Sequence, residues 1–360
     1  MLIYENICLI YLIEGVCVLK YKYVEAKTMK LLEPIKIKGK TFKNRVMMAP
    51  MCMYSVSKQD GIATDFHLMH YTTRAMGGVG YIMIESTAVL PEGRISLEDL
   101  GLWDDNQVAP LKKIVDAVHS YGAKIGIQLS HAGRKSRTDR LVSSTDIAFS
   151  ERYAKPEMLD EKGIEEVIKA FGQAARRAHE AGFDSIELHG AHGYLIAQFI
   201  SDVTNQRNDQ YKDGIVFLEL IVDEVLKYFP KDKILQLRIS GYEYHDLGMT
   251  PYDWASIINR LKDRIDVVDV SSGGIAPVPM KDYPGYQLSF AKIIKEETGI
   301  ITIGGGQIND PMMASDAINK GMMDMAYFGR KLLKDPYFIY EMDQELLPRQ
   351  YIRAKGLISK

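Results

Sequence analysis

Short apolar runs recur along the chain from residue 29 onward, and most are followed by a polar or glycine-bearing loop and then by an amphipathic stretch. Short runs bounded by turn residues are typical of buried strands. Eight strands that alternate with helices favour a parallel sheet, and eight is the number that closes a barrel. The pattern therefore predicts an α/β protein built as a single (β/α)8 TIM barrel. The runs predicted as strands are Arg45–Met51, Tyr81–Glu85, Lys124–Leu129, Ser185–Leu188, Ile234–Ile239, Val267–Val270, Ile301–Ile303 and Met325–Phe328.

Helical periodicity fills several of the segments between these runs. Apolar residues within 164–171 recur at helical spacing, and Gly182 follows as a stop signal. We find no low-complexity segment or linker in the sequence, so one barrel is expected over residues 29–345, with a tail over 346–360. The predicted helices are Val108–Tyr121, Ile164–Ala181, Val216–Phe229, Tyr252–Leu261 and Met312–Lys320.

The first 28 residues follow a different pattern. They are apolar and rich in tyrosine, with Glu5 and Glu14 inside the apolar stretch. A signal peptide would have a basic start and a small-residue cleavage site, and a membrane helix would need roughly 18 uninterrupted apolar residues. We expect residues 1–28 to be an extension outside the barrel, with a docked strand or helix as the alternative.

Composition and charge exclude several classes of protein. The chain has 45 Lys and Arg against 47 Asp and Glu, a formal charge of −2, and we find no basic tract for nucleic acid. Three cysteines (Cys8, Cys17 and Cys52) cannot form a disulfide framework or a multi-cysteine metal site. We therefore expect a protein of the reducing cytoplasm that binds neither nucleic acid nor membrane.

A barrel of this type carries its chemistry on the loops after the strands. Gly304–Gly306 follows the seventh predicted strand, and Gly329 and Arg330 follow the eighth. Glycines let backbone N–H groups approach a phosphate, and an arginine adds a cation. These residues predict a phosphate site, whose ligand is either a substrate or a cofactor.

His189 and His192 follow the fourth predicted strand. Two histidines three residues apart are compatible with a metal site or a structural role, but metal sites usually add carboxylate or cysteine ligands. Glu187 is expected to point to the other side of the strand from His189, so no metal is predicted. The third interpretation is a pair of imidazole donors for one carbonyl oxygen, with the Tyr194 phenol nearby as a proton source.

Six motifs, in order along the chain, resemble old yellow enzyme, the FMN-dependent ene-reductase family, and its bacterial NADPH dehydrogenase branch in particular. They are APMCMYS (Ala49–Ser55), IQLSHAGRK (Ile127–Lys135), ELHGAHGYL (Glu187–Leu195), LRIS (Leu237–Ser240), DVSSGG and YFGR. The resemblance extends from about residue 30 to the C-terminus.

The resemblance implies FMN as the phosphorylated ligand. Ala49, Pro50, Met51 and Cys52 would lie along the flavin, with the Cys52 thiol near its edge. Ser86 would contact the ring through its backbone or hydroxyl, Gln128 would bind the pyrimidine side, and Arg238 would lie near N1. The phosphate would be held by Gly306, Gly329 and Arg330.

The resemblance also implies a ping-pong reaction in which NADPH or NADH reduces FMN and an activated alkene then takes its place. His189 and His192 would hold the substrate carbonyl, and Tyr194 would protonate the α-carbon. Tyr54 would contact the substrate. Lys135 would hold the nicotinamide donor or a loop, with a solvated surface lysine as the alternative.

Two further expectations concern the rim of the barrel and the tail. Arg353 is predicted to reach the active site of a neighbouring subunit in a homodimer or homotetramer. The segment 209–217 is shorter than the family pattern after the fourth strand, which leaves a flavin-binding barrel with weak turnover as an alternative. A non-redox barrel enzyme with a phosphorylated substrate is the other alternative.

Overall fold

The computed structural model describes residues 7–13, 16–22, 29–355 and 357. Eight parallel strands pair side by side in chain order, and the first also pairs with the eighth, so the sheet closes into a barrel. The predicted (β/α)8 barrel and its eight strands are confirmed. The strands are β1 (Val46–Met48), β2 (Tyr81–Ala88), β3 (Lys124–Ser130), β4 (Ser185–Gly190), β5 (Ile234–Ser240), β6 (Val267–Ser271), β7 (Ile301–Gly304) and β8 (Met325–Phe328).

Helices lie between the strands and cover the outside of the barrel. The five predicted helices are all present, whereas α1, α7 and the short helices were not predicted. In chain order they are α1 (Asp65–Met76), α2 (Val108–Ser120), α3 (Glu161–Ala181), α4 (Leu195–Ile200), α5 (Ile215–Tyr228), α6 (Pro251–Leu261), α7 (Leu288–Thr298), α8 (Pro311–Asn319), α9 (Arg330–Lys334) and α10 (Phe338–Met342).

The longest helix shows how local sequence sets these boundaries. α3 begins after Asp160, whose carboxylate accepts the backbone N–H of Gly163 at 2.8 Å. It ends at Gly182, which adopts a left-handed conformation with φ of 94°. The buried face between these caps is apolar and packs against the sheet and α5. The predicted stop at Gly182 is confirmed.

A hairpin closes the amino-terminal end of the barrel. Its strands, Ile35–Ile37 and Lys40–Phe42, pair with each other and lie before β1. Phe42 and Ile37 are buried in one cluster with interior side chains from the lower ends of the barrel strands, and the Phe42 and Tyr81 rings meet edge to face at 5.0 Å. The opposite, carboxyl-terminal end therefore carries the open rim.

The described part of the N-terminal extension forms an antiparallel pair of strands, Ile7–Ile13 with Val16–Lys22, in a sheet separate from the barrel. The expected boundary near residue 29 stays a prediction. Among the described residues, we find no helix long and apolar enough to cross a membrane.

Candidate active site

A cavity of about 220 Å³ opens between the ends of β1, β6, β7 and β8. A side chain on Gly305 would lie 2.3 Å from the Tyr327 ring, and one on Gly306 would lie 3.0 Å from Gln287 and Tyr286. Gly306 also has φ of 92°, which few other residues adopt. The cavity therefore needs glycine at these positions. Its lining includes Ala49, Met51, Ser271, Tyr286, Gln287, Gly306, Tyr327, Gly329, Arg330 and Lys331.

The mouth of this cavity is cationic. Arg330 is exposed there, and Lys331 follows it on the lining. Gly329, at the end of β8, leaves room for a ligand because a side chain there would meet only Met51, at 3.2 Å. Two cations and glycine backbone suit a phosphate group.

Buried polar side chains occupy the barrel interior next to the cavity. Glu187 lies opposite Gln128 on β3 and opposite Gln236 on β5. The Gln128 amide donates to its Oε1 at 2.6 Å, and the Gln236 amide donates to its Oε2. The expectation that Glu187 points away from His189 is wrong, because residues two apart on a strand share a face and both lie inside the barrel.

Arg238 is buried beside this group. Its Nε lies 3.1 Å from Asp269 Oδ2 on β6, as an ion pair without hydrogen-bond geometry. Its guanidinium carbon lies 5.6 Å from the centre of the Tyr327 ring, which lines the cavity. The Nε proton has no acceptor among the described residues. A cation with an unused donor can therefore face a ligand in the cavity.

His189 and His192 come together with Tyr194 at the end of β4. The ring centres of His189 and His192 are 5.1 Å apart, and those of His189 and Tyr194 are 4.7 Å apart. Burial, together with the nearby charges of Arg238 and Lys135, lowers the pKa of both histidines well below the usual value. Both imidazoles are therefore neutral at neutral pH, and each has one N–H to donate.

The tautomer of His189 follows from its backbone contact. Its Nδ1 accepts the N–H of Ala191 at 3.3 Å, so its proton is on Nε2. His192 Nε2 lies 2.8 Å from Ser271 Oγ, and Ser271 accepts an N–H from Gln287 at 3.3 Å. Gln287 Nε2 has two protons and three neighbouring hydroxyl groups, of which Ser271 is the farthest, so either Ser271 or His192 can be the donor in this contact.

Sequence reasoning missed Gln287 and Ser271 as site residues. Gln287 is buried, donates to Ser272 at 2.9 Å and to Tyr286 at 3.0 Å, and accepts the Tyr327 hydroxyl proton. It thereby connects the wall of the cavity to Ser271, the serine that contacts His192. The position of Ser271 at a strand end was a usable signal, whereas Gln287 lies just before α7 without a motif.

Lys135 holds the loop that carries His192. Its Nζ donates to the carbonyl of His192 at 2.8 Å and to that of Gly274 at 3.1 Å. The ammonium also lies 5.2 Å from the centre of the Tyr194 ring. Burial lowers the pKa of Lys135 to about 8. The alternative of a solvated surface lysine is wrong, because the side chain is largely buried and bonded to two loops.

The loop after β1 brings Cys52 and Tyr54 to the rim. Burial, together with the Asp99 and Glu85 carboxylates, raises the pKa of the Cys52 thiol, so the thiol is protonated and unsuited to nucleophilic attack. The thiol contacts the Ser86 backbone and the Tyr54 hydroxyl. Burial raises the pKa of Tyr54 to about 12, and 48% of this residue stays exposed. These contacts bring Cys52, Tyr54 and Ser86 together.

Three residues of the site have backbone angles that most residues avoid. Tyr54, His192 and Gln307 have φ of 50°, 57° and 52°. Each follows a different strand, so the loops rather than the strands set the unusual geometry. Such conformations concentrate at ligand sites because the surrounding structure must hold them in place.

Arg353 lies apart from this group, exposed in the 3₁₀ segment Arg349–Ala354 near the end of the chain. The shorter segment after α4 is ordered by Arg207, which donates to the carbonyls of Ser144 and Leu159 at 3.0 and 2.8 Å. Arg207 also pairs with Asp209. The shorter segment is therefore held at this side of the rim by hydrogen bonds and an ion pair.

Fold and site together define a TIM barrel with a cationic, glycine-lined cavity at the ends of its last strands and two neutral histidines beside a buried arginine. Such a barrel holds a phosphorylated ligand against an electrophilic clamp. The chain belongs to the NADH:flavin oxidoreductase / NADH oxidase family, whose model matches residues 30–348. It is an FMN-dependent NAD(P)H oxidoreductase of the old yellow enzyme type.

Individual relatives agree with this assignment. The chain is 45% identical to an NADPH dehydrogenase of Clostridium acetobutylicum over 318 residues, which are 86% of this chain and 94% of that protein. Its fold resembles the old yellow enzyme homologue from Zymomonas mobilis, with a TM-score of 0.75, 24% identity, and coverage of 88% and 93% of the two chains. It also resembles 2-naphthoyl-CoA reductase (TM-score 0.83, 24% identity, 88% of this chain), of whose length it spans about half, 52%.

The residues present fit FMN. The cationic mouth of the cavity suits its phosphate, and the cavity continues past Met51 and Tyr327 toward the ion pair of Arg238. Gln128 keeps its carbonyl oxygen and a second N–H, the complementary pair that the pyrimidine edge of a flavin needs. Arg238 offers the unused donor described above.

Proposed function

We propose that the protein reduces the activated C=C bond of α,β-unsaturated carbonyl compounds and related alkenes, with NADPH as the electron donor. When bound and reduced by the donor, FMN supplies the hydride for the β-carbon. The observation that carries this proposal is the neutral pair His189 and His192, which lies beside Tyr194 and near Arg238. The name of the bacterial relative, NADPH dehydrogenase, favours NADPH over NADH.

In this proposal the two imidazoles bind the substrate carbonyl. Each is neutral and each has a single N–H, which is on Nε2 in His189. The clamp requires the His192 proton on Nδ1, with Ser271 donating to Nε2. Negative charge grows on the carbonyl oxygen as the β-carbon is reduced, so two fixed donors stabilise the transition state more than the ground state. Neutral donors also leave the oxygen unprotonated, so the α-carbon needs a separate acid.

Tyr194 is proposed as that acid. Burial, with neighbouring Cys52 and Tyr54, raises its pKa, so the phenol keeps its proton at neutral pH. Its ring lies 4.7 Å from that of His189, which supports a position of the phenol beside a carbonyl that His189 binds. The Lys135 ammonium near this ring stabilises the phenolate that proton transfer leaves.

The remaining site residues are proposed to bind rather than react. Ala49, Pro50, Met51, Cys52 and Ser86 line the flavin, and Tyr54 contacts the substrate from the rim. Lys135 holds the clamp loop and contacts the donor. The cofactor contacts from the other strands are Gln128, Arg238, Gly306, Gly329 and Arg330.

We further propose that the protein is a homodimer or homotetramer in which Arg353 reaches the partner's rim. The observation in favour is the exposure of Arg353 and of its neighbours Tyr351 and Ile352, which leaves apolar surface for a second copy. Removal of residues 349–360 should raise the Michaelis constants for donor and alkene. Unchanged constants would contradict this role.

The clamp is tested with the double variant H189A/H192A. Its FMN, reduced by light in the absence of oxygen, should react with 2-cyclohexenone at least about 100-fold more slowly than in the wild type, because two transition-state donors are lost. FMN should stay bound, since neither imidazole contacts the phosphate cavity. The matched control H179A changes an exposed histidine on α3. If the reduced FMN of the double variant reacted with 2-cyclohexenone at the wild-type rate, that result would contradict the clamp.

A further inference from the structure

A layer of ionisable side chains crosses the barrel interior beside the flavin site. Arg238 on β5 lies opposite Asp269 on β6 in the strand register, and Glu187 projects from β4 at the same end of the sheet. All three are shielded from water. With both acids ionised, one cation and two anions would leave a net negative charge inside the barrel, which is costly.

The structure indicates where a neutralising proton would lie. Asp269 is paired with Arg238, yet both of its carboxylate oxygens lack a hydrogen-bond donor in the described chain. Glu187 lies within hydrogen-bonding reach of Asp269, so a proton on Glu187 would supply the missing donor. Burial raises the pKa of both acids, and the charge of Asp269 raises that of Glu187 further. Arg238 opposes the rise at both acids, and a hydrogen bond from Glu187 opposes it at Asp269.

We propose that Glu187 and Asp269 share one proton beside Arg238, and that Glu187 regains this proton on reduction of FMN in solutions alkaline enough to have removed it. Two electrons from NAD(P)H or a chemical reductant, with one proton, enter the ring and leave one negative charge on it. A second proton then moves from solvent to Glu187. The negative charge that the ring gains is thereby offset by the charge that the carboxyl loses.

The other groups that face Glu187 do not titrate in this range. Burial raises the pKa of Tyr81 and of Tyr327 and lowers that of His189, so all three stay neutral. The pKa of Arg238 is raised by the two acids against the opposing effect of burial, so it stays charged. Gln128 and Gln236 do not titrate. The carboxyl pair is therefore the titrating unit of this layer.

Glu187 also positions Gln128. Its two oxygens each accept an amide N–H, and Gln236 is held in place because its own oxygen accepts the Tyr81 hydroxyl at 2.8 Å. A glutamine at 187 would present one oxygen and one NH2 group, so Gln128 would have to turn over. That change would mispair the flavin edge and weaken FMN binding about tenfold.

The test is the midpoint potential of the FMN-loaded protein from about pH 6 to about pH 10. One proton per two electrons changes a potential by about 30 mV per pH unit. The wild type should show a slope near ~30 mV per pH unit around neutrality, steepening toward ~60 mV in alkaline solution. E187Q should steepen less than the wild type, because Lys135, which lies outside this layer and has a pKa of about 8, still titrates in this range. E187D, which retains a titrating group, should steepen as the wild type does.

The matched control is E243Q, which changes another buried carboxyl, outside this layer and bonded to Ser201. E243Q should steepen as the wild type does. A single shallow slope in the wild type, or the same steepening in E187Q as in the wild type, would overturn the proposal. If E187Q fails to fold, the profile of K135M decides, because that change removes the lysine that also titrates in this range and should leave the steepening in place. Because the proposal rests on FMN binding, flavin absorbance is measured first, and its absence would count against the assigned function instead.

Discussion

Burial fixes the protonation state of several site residues before any ligand binds. His189 and His192 are neutral, and Cys52 and Tyr194 keep their protons, because the barrel rim shields them from water. Arg330 is the contrast, since it is exposed and its charge is available to an anion. Its contribution to cofactor binding can therefore be measured without disturbing the core.

We predict that R330Q weakens FMN binding by about 10-fold to 100-fold, because a charge-assisted hydrogen bond to phosphate contributes about 1.5–3 kcal/mol. Thermal stability of the FMN-free protein should stay within about 1 °C of the wild type, since the side chain is exposed. Binding is measured by quenching of FMN fluorescence. K334Q, which changes an exposed lysine on the same helix α9, is the control. Equal affinities of the two variants would contradict the phosphate contact.

At the scale of elements, the loops after β4 and β6 touch backbone to backbone. Gly193 and Gly274 both have left-handed φ angles, 68° and 94°. A side chain on Gly193 would lie 2.2 Å from the Gly274 carbonyl oxygen. Lys135 then bridges the two loops through its hydrogen bonds. The position of His192 thus depends on contact between two loops that are far apart in sequence.

We predict that G193A lowers the rate of alkene reduction at least tenfold while FMN stays bound, because a methyl group would force the two loops apart. The control is G122A. Gly122 has a similar φ of 70° but nothing within 4 Å of its added methyl group. Both variants should lose about 1 kcal/mol of unfolding free energy from backbone strain, and G193A should lose about 1–3 kcal/mol more from the steric contact, measured with urea. A comparable loss of turnover in G122A would point to strain alone.

On the scale of the whole molecule, buried histidines and buried carboxyls change the free energy of unfolding in opposite directions as the pH falls. Burial lowers the pKa of His67 to about 4 and those of His70 and His131 to about 3. Burial raises the pKa of Glu85 and of Glu243 to about 7. As the pH falls from about 7 to about 4.5, the folded chain binds protons at the carboxyls first. The unfolded chain meanwhile binds protons at the histidines. Proton binding by the folded chain raises the free energy of unfolding and proton binding by the unfolded chain lowers it, so the two changes offset each other.

We predict that the free energy of unfolding changes little between about pH 7 and about pH 4.5 and falls steeply below. Under these acid conditions the offset ends, because unfolded carboxyls also become protonated, while buried histidines still resist. H70Q should reduce the slope of the unfolding free energy against pH in acid by about 1.4 kcal/mol per pH unit, because the variant lacks one group that binds a proton only in the unfolded chain. Urea unfolding at a series of pH values measures both. An unchanged acid slope in H70Q would contradict this account.

The alternation of apolar runs was enough to predict the barrel, because each strand is buried on both faces and reads as a continuous apolar segment. α1 was missed because His67, His70 and Tyr71 form its buried face instead of aliphatic residues. β1 ends at Met48 instead of the predicted Met51 because the backbone leaves the sheet to form the site loop. Glu187 was assigned the wrong face by an error in strand alternation. Gln287 could not be predicted, since its role arises only where the end of β6 and the strand β8 meet the start of α7.

The hairpin of Ile35–Ile37 and Lys40–Phe42 has a kinetic consequence. Within the described chain it closes the amino-terminal end of the barrel. Nicotinamide and alkene must therefore enter through the same opening at the carboxyl-terminal rim. The two cannot be bound at the same time. An excess of alkene should therefore inhibit turnover by binding the enzyme while its flavin is oxidised, and an excess of donor by binding it while the flavin is reduced. Steady-state rates should consequently pass through a maximum and decline as the alkene is increased at fixed NADPH.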